Sequence, residues 1–160
     1  MSLPPLDIPG LLRQHALRPD KGLGQNFLLD EDALQQVVDA AQVSVDDHVL
    51  EIGAGLGSLT RYLASAARVV TAVELDNRLL PALRQVLSEF SNVQIVQGDI
   101  LALNPAQLVP EGGYLVVANI PYYITSAIIR HLLESSARPA RLVLTVQKEV
   151  AQRICAAPGD

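Results

Sequence analysis

The sequence predicts an α/β domain built on a doubly wound, mostly parallel sheet. Two observations lead there. Short, nearly all-apolar runs alternate with longer runs of helical periodicity, as in strands covered by helices on both faces. The residues best suited to chemistry fall at the carboxyl ends of the apolar runs, where open α/β sheets bind ligands.

The elements follow in chain order. Residues 1–24 are rich in Pro and Gly and read as an N-terminal arm with one short helix around 11–17; residues 25–160 read as one ligand-binding domain. Asp30 has the chemistry of an N-cap. Leu34, Val37, Val38 and Ala41 then fall at i, i+3, i+4 and i+7, one face of a helix. Strands are expected at 48–52, 68–73, 93–96, 114–118 and 141–146. Helices are expected at 57–64, 79–90, 125–134 and 147–156. Pro81 must lie near the start of its helix, where the missing N–H does least harm.

Composition bounds the function. A chain of 160 residues, 49% apolar and 18% charged, is long enough and apolar enough for one buried core. No apolar stretch approaches a membrane span. The first residues carry neither a basic region nor a continuous apolar segment, so no secretion signal is read. The single cysteine, Cys155, excludes an internal disulfide and fits a reducing cytoplasm; it reads as a half-buried small residue on a late helix. A net charge of −5 argues against a surface uniformly built for nucleic acid. The positive charge is clustered, however: Arg13, His15, Arg18 and Lys21 near one end, Arg138, Arg141, Lys148 and Arg153 near the other. Each cluster reads either as a phosphate-facing patch or as a solvated face. His15, His48 and His131 have no partners at metal-ligand spacing and read as structural or exposed.

The first strand runs into Glu51-Ile52-Gly53-Ala54-Gly55-Leu56-Gly57. Glycine at alternate positions permits positive φ and lets a ligand touch backbone. The following helix N-terminus favours an anion. The dinucleotide pattern G-x-G-x-x-G fails here, because Ser58 stands three residues after Gly55. Alternate glycines led by an acid are the usual S-adenosylmethionine turn. Glu74, ending the second strand, is placed to accept both ribose hydroxyls. Asp99, just past the third strand, is placed to accept the adenine 6-amino group. For each, the rival reading is a carboxylate capping the next turn; Asp76 reads as a helix cap.

Asn119-Ile120-Pro121-Tyr122 ends the fourth strand. The Asn119 amide oxygen and the Ile120 carbonyl can accept the two hydrogens of a planar amine, and Tyr122 can lie on its ring. An Asn-X-Pro-aromatic turn is the rival reading.

Three further stretches narrow the reading. They are Lys21-Gly22-Leu23-Gly24-Gln25-Asn26-Phe27-Leu28, Asn119-Ile120-Pro121-Tyr122-Tyr123 and Gln147-Lys148-Glu149-Val150-Ala151-Gln152-Arg153. Together they resemble the ribosomal RNA adenine N6-dimethyltransferases of the small subunit. The resemblance runs from about Leu17 to the end of the chain. It implies a Rossmann-like methyltransferase sheet with S-adenosylmethionine as cofactor. Asn26, Leu28, Gly53, Glu74, Asp99 and Asn119 would line the cofactor site, shaped by Gly55 and Gly57. Asn119, Ile120, Pro121 and Tyr122 would form the catalytic segment, with Phe27 and Tyr123 beside the target adenine; Tyr123 packing on the sheet is the alternative. A sister family methylates large-subunit RNA, confers macrolide resistance and shares Gln-Asn-Phe and Asn-Ile-Pro-Tyr; the Leu23-Gly24 lead-in and Tyr123 favour the small-subunit branch. The implied partner is small-subunit ribosomal RNA or the assembling subunit, in the cytoplasm, with no membrane and no metal. A non-catalytic ribosome-binding module that keeps the fold is the competing class. The family also carries two further strands and a basic C-terminal helical domain. This chain is therefore expected to be truncated, with its fifth strand as an open edge.

Overall fold

The computed structural model describes residues 3–20, 30–109, 112–120 and 122–159. Strands β1 (His48–Ile52), β2 (Val69–Glu74), β3 (Val93–Gln97), β4 (Leu115–Asn119) and β5 (Arg141–Thr145) make one sheet in the order β3-β2-β1-β4-β5, with every pair parallel. The helices are α1 (Ile8–Gln14), α2 (Glu31–Ala41), α3 (Ser58–Ala66), α4 (Leu80–Val86), α5 (Pro105–Leu108), α6 (Thr125–Glu134) and α7 (Lys148–Ile154). All five expected strands are present, each within about a residue of its expected ends.

Alternation along each strand divides the core in two. Val49, Val70, Leu115 and Val117 face one side, where they pack with Leu34, Val38 and Ala41 of α2 and Leu59, Tyr62 and Leu63 of α3. Leu50, Ile52, Val73, Val116 and Ala118 face the other, against Ile128 and Leu132 of α6. Helices on both faces make the sheet doubly wound, as the near-continuous apolar strands require.

The helix expected at 79–90 is shorter and begins differently. Asp76 caps a 3-10 turn, Asn77–Leu79, and α4 follows with Pro81 in its first turn. It ends early because the Ser88 hydroxyl takes the Gln85 carbonyl at 2.9 Å, competing with the helical ladder. The arm helix starts earlier than expected, because Asp7 accepts from Gly10 N at 2.9 Å and Pro9 enters the first turn. The short helix α5 was not expected; Asn104 caps it and Pro105 opens it. Asp30 caps α2 as expected, accepting from the amides of Asp32 and Ala33.

β5 lies at the sheet edge and none of its side chains is fully buried. Its first residue, Arg141, donates to the Ala41 carbonyl at the end of α2. No residue of α7 is buried. Cys155 follows that helix and is exposed, so it is not the half-buried residue expected. No helix among the described residues is long and apolar enough to cross a membrane.

Candidate active site

β1 is flanked by β2 on one side and β4 on the other, so the chain reverses its winding between β1 and β4. Open α/β sheets bind ligands at such a switch point, beyond the carboxyl ends of the strands. The glycine turn leaves β1 here and the Asn119 segment leaves β4.

Register brings the two together. Ile52 pairs with Ala118, so Gly53 falls beside Asn119. Gly53 has φ +81°, and a Cβ there would lie 2.8 Å from the Asn119 carbonyl oxygen. Gly53 and Gly55 are half-exposed while Ala54 and Leu56 are buried, so the turn offers bare backbone to the crevice. Gly57, φ +86°, serves packing: a Cβ would meet Leu83 Cδ1 at 3.0 Å and Val86 Cγ1 at 3.2 Å on α4. A turn that presents backbone without side chains suits a nucleotide-like cofactor.

Glu74 braces this turn. One carboxylate oxygen accepts from Gly55 N at 2.7 Å and the other from Asp76 N at 3.0 Å. A carboxylate has about four acceptor positions, so capacity remains for a ligand. Burial raises its pKa, the amides of Asp76, Gly55 and Leu75 oppose that, and the charge of Asp76 adds to it. Glu51 lies on the same face of the sheet, fully buried, and accepts from the Thr60 hydroxyl of α3 at 2.5 Å. Burial lifts its carboxyl to about 7, against the Thr60 hydrogen bond and with a contribution from the Glu74 charge. The sequence pointed to Glu51 only as the acid that leads the turn; its tie to Thr60 appears in the fold.

Asp99 is exposed, and its Oδ1 accepts from Leu101 N at 2.9 Å. The capping alternative therefore describes at least one of its oxygens. Asp76 is the expected cap, bonding Arg78 N at 3.0 Å and the Arg78 guanidinium at 2.6 Å. Two apolar residues escaped notice in the sequence. Leu75 and Leu101, 47% and 37% exposed, follow β2 and β3, and the Leu101 amide donates to Asp99. Their signal was an apolar residue one or two positions after each strand-end acid, Leu75 after Glu74 and Leu101 after Asp99, which is also common in ordinary loops.

Asn119 and Ile120 are half-buried at the end of β4, and Ile120 packs on the α6 side of the core. Tyr123 lies in a 3-10 turn, Tyr122–Ile124, and is 60% exposed. Asn26, Phe27, Leu28 and Pro121 lie outside the described residues, and only the backbone of Tyr122 is within them.

The basic residues near the C-terminus do not form one patch. Arg138 and Arg141 sit at the amino end of β5, whereas Lys148 opens the helix that follows its carboxyl end. A strand separates them, and Lys148 and Arg153 follow its carboxyl end, where Thr145 pairs with Asn119. His15, His48 and His131 each bond a neighbour, respectively Gln85 Oε1, Thr71 Oγ1 and the Leu103 carbonyl. Among the described residues no cluster is able to hold a metal.

A parallel sheet with a bare glycine turn at its switch point and an acid bracing that turn defines a nucleotide-cofactor α/β protein. The chain belongs to the ribosomal RNA adenine dimethylase family, which it matches over residues 17–160. It is 44% identical over 154 residues to ribosomal RNA small subunit methyltransferase A of Streptococcus sanguinis, covering 93% of this chain and 53% of the relative. Among solved structures it resembles a dimethyladenosine transferase from Plasmodium falciparum, with TM-score 0.74, 31% identity and coverage of 84% of this chain and 48% of that one. It also resembles the 23S rRNA methyltransferase ErmE, with TM-score 0.70, 39% identity and coverage of 79% and 50%. The fold is thus the Rossmann-like fold of S-adenosylmethionine-dependent methyltransferases. The chain spans about half the length of the curated relatives it matches.

Proposed function

We propose that the protein transfers methyl groups from S-adenosylmethionine to N6 of adenines in small-subunit ribosomal RNA. The contact of Gly53 with the Asn119 carbonyl carries this reading, because it sets the cofactor turn directly beside the amine-holding residue. The names of the curated relatives support the small subunit. The likeness to ErmE supports a second reading, large-subunit RNA. Glu51, Glu74, Asp99 and Asn119 are all present, which favours an enzyme over a binding module.

In this reading Gly53, Gly55 and Gly57 shape the cofactor turn, Glu74 takes the ribose hydroxyls and Asp99 the adenine amine, with Asn26 and Leu28 completing the site. Leu75 and Leu101 supply apolar surface for the cofactor's adenine. The cofactor supplies an electrophilic methyl group. Asn119 Oδ1 and the Ile120 carbonyl accept the N6 hydrogens of the target adenine, turn its lone pair out of the ring plane and favour the positive charge that develops on nitrogen. An amide is too weak a base to remove a proton, so Asn119 orients and does not deprotonate. Pro121 holds the turn, and Tyr122, Tyr123 and Phe27 stack on or flank the flipped base. The setting is the assembling small subunit in the cytoplasm.

Tritiated methyl transfer to under-methylated small subunits and, in parallel, large subunits tests this. Asn119 also lines the cofactor site in this reading, so Asn119→Ala is expected to abolish incorporation into small subunits and, by calorimetry, to weaken cofactor binding as well. Incorporation confined to large subunits selects the second reading. Incorporation unchanged by Asn119→Ala overturns the assigned chemistry.

A further inference from the structure

Helix α1 precedes residues 17–160, the span that matches the family. Its seven residues are too few to hold a helix alone in water, so docking must order it. Ile8 and Leu11, 4% and 8% exposed, enter one apolar cluster with Leu56, Leu79 and Ala82. Leu56 is the residue between Gly55 and Gly57, both at positive φ, and is 1% exposed. Leu79 ends the 3-10 turn capped by Asp76, whose amide binds Glu74. One cluster therefore sits beneath both stretches that carry the cofactor groups. Polar ties fasten the same arm. Arg61 of α3, 7% exposed, donates to the Pro4 carbonyl at 2.6 Å. His15 and Gln14 bond Gln85 of α4 at 2.9 and 3.1 Å. Asp20 lies 3.7 Å from Arg78.

The backbone of the glycine turn is tied by Gly53 N and Ala54 N to the Val73 carbonyl and by Gly55 N to Glu74, but its glycines have the widest backbone freedom of any residue and give it no side chain to pack. Its one large side chain, Leu56, points into the α1 cluster and away from the crevice. We infer that α1 is a brace for the cofactor turn, with Leu11 and Ile8 as positioning residues that set S-adenosylmethionine affinity through Leu56 without touching the ligand. This rests on the functional reading above.

Calorimetry with S-adenosylhomocysteine compares the unaltered chain, Leu11→Ala, Leu11→Met and Leu132→Ala, at a temperature where circular dichroism shows each folded. Leu132 is a buried residue of α6 in the cluster on the opposite face, and so controls for general loss of stability. Leu11→Ala is expected to weaken binding about ten-fold, a usual size for coupling between sites. Leu11→Met restores it, and Leu132→Ala leaves it unchanged. Equal weakening by Leu11→Ala and Leu132→Ala, or no weakening by Leu11→Ala, overturns the brace. No binding by the unaltered chain overturns the functional reading and the brace with it.

A second measurement needs no variant. Coupling is reciprocal, so the ligand must also tighten α1. Bound S-adenosylhomocysteine is expected to slow hydrogen exchange at the amides of Leu11 and His15, which bond within and at the end of α1. Protection confined to the glycine turn, with α1 unchanged, overturns the proposal even if Leu11→Ala fails to fold.

Discussion

The Cα of Gly53 faces the backbone carbonyl of Asn119 so closely that a methyl group there would lie 2.8 Å from the oxygen. Sixty-six positions of sequence separate the two, and the β1–β4 register alone joins them. The obstacle is backbone within a paired strand, which has no rotamer to change.

Gly53→Ala is therefore expected to weaken S-adenosylmethionine binding by at least about ten-fold, the equivalent of roughly 1.4 kcal/mol. Positive φ adds about 1–2 kcal/mol of strain to the folded state. Gly57→Ala meets only side-chain ends on Leu83, Val86 and Leu87, which can shift, so it should lower stability and spare more of the affinity. Calorimetry and thermal melts on both variants check the order; a larger affinity loss at Gly57 would reverse the assignment of roles.

Glu74→Gln keeps one acceptor and turns an NH2 toward either Gly55 N–H or Asp76 N–H. A buried donor left facing a donor costs about 1–3 kcal/mol. The expected result is a lower melting temperature together with weaker cofactor binding. Unchanged values for both would mean that the carboxylate does not brace the turn.

Glu51 makes stability depend on pH. Its carboxyl titrates near 7 when folded and at its ordinary value, 4.5, when unfolded. Between those values the folded state binds the extra proton, so stability is greatest below about pH 4.5 and falls as pH rises toward 7, by about 1.4 kcal/mol per unit from this group. Glu74 is raised too and acts with the same sign. Glu51→Gln cannot ionise and still accepts from Thr60. It should melt higher than the unaltered chain at pH 8, with the gap closing near pH 4.5. A gap that widens on acidification would contradict the assignment.

Asp30→Ala removes the α2 cap, which accepts from Asp32 N at 2.9 Å and Ala33 N at 3.4 Å. Loss of such a cap costs about 1 kcal/mol. A fall in melting temperature of about 2–4 °C is expected for a chain of this size. A melt indistinguishable from the unaltered protein would show that the cap bonds are replaced by water.

The strands, most helices, the Asp30 and Asp76 caps and the glycine turn were legible in the chain, because each is written in a period or a spacing within about ten residues. Local patterns failed where two local rules competed. Ser88 ended α4 early although the apolar period continued to Phe90. Asn104 and Pro105 opened a helix too short to show a period.

Contacts between distant segments were a different matter. Residue type and spacing marked Gly53, Glu74 and Asn119 as candidates, but nothing local says which strand lies beside which. Sheet order follows from how each crossover packs onto the growing sheet, so it decided that Gly53 meets Asn119 and that Glu74 reaches Gly55. The separation of Arg138 and Arg141 from Lys148 needed no sheet order, since the strand expected at 141–146 already carries them to opposite ends of the sheet. The docking of α1 beneath Leu56 belongs to the same class as the contact of Gly53 with Asn119: the chain suggested only a short arm helix around 11–17, and the cluster that buries Ile8 and Leu11 shows what that helix supports.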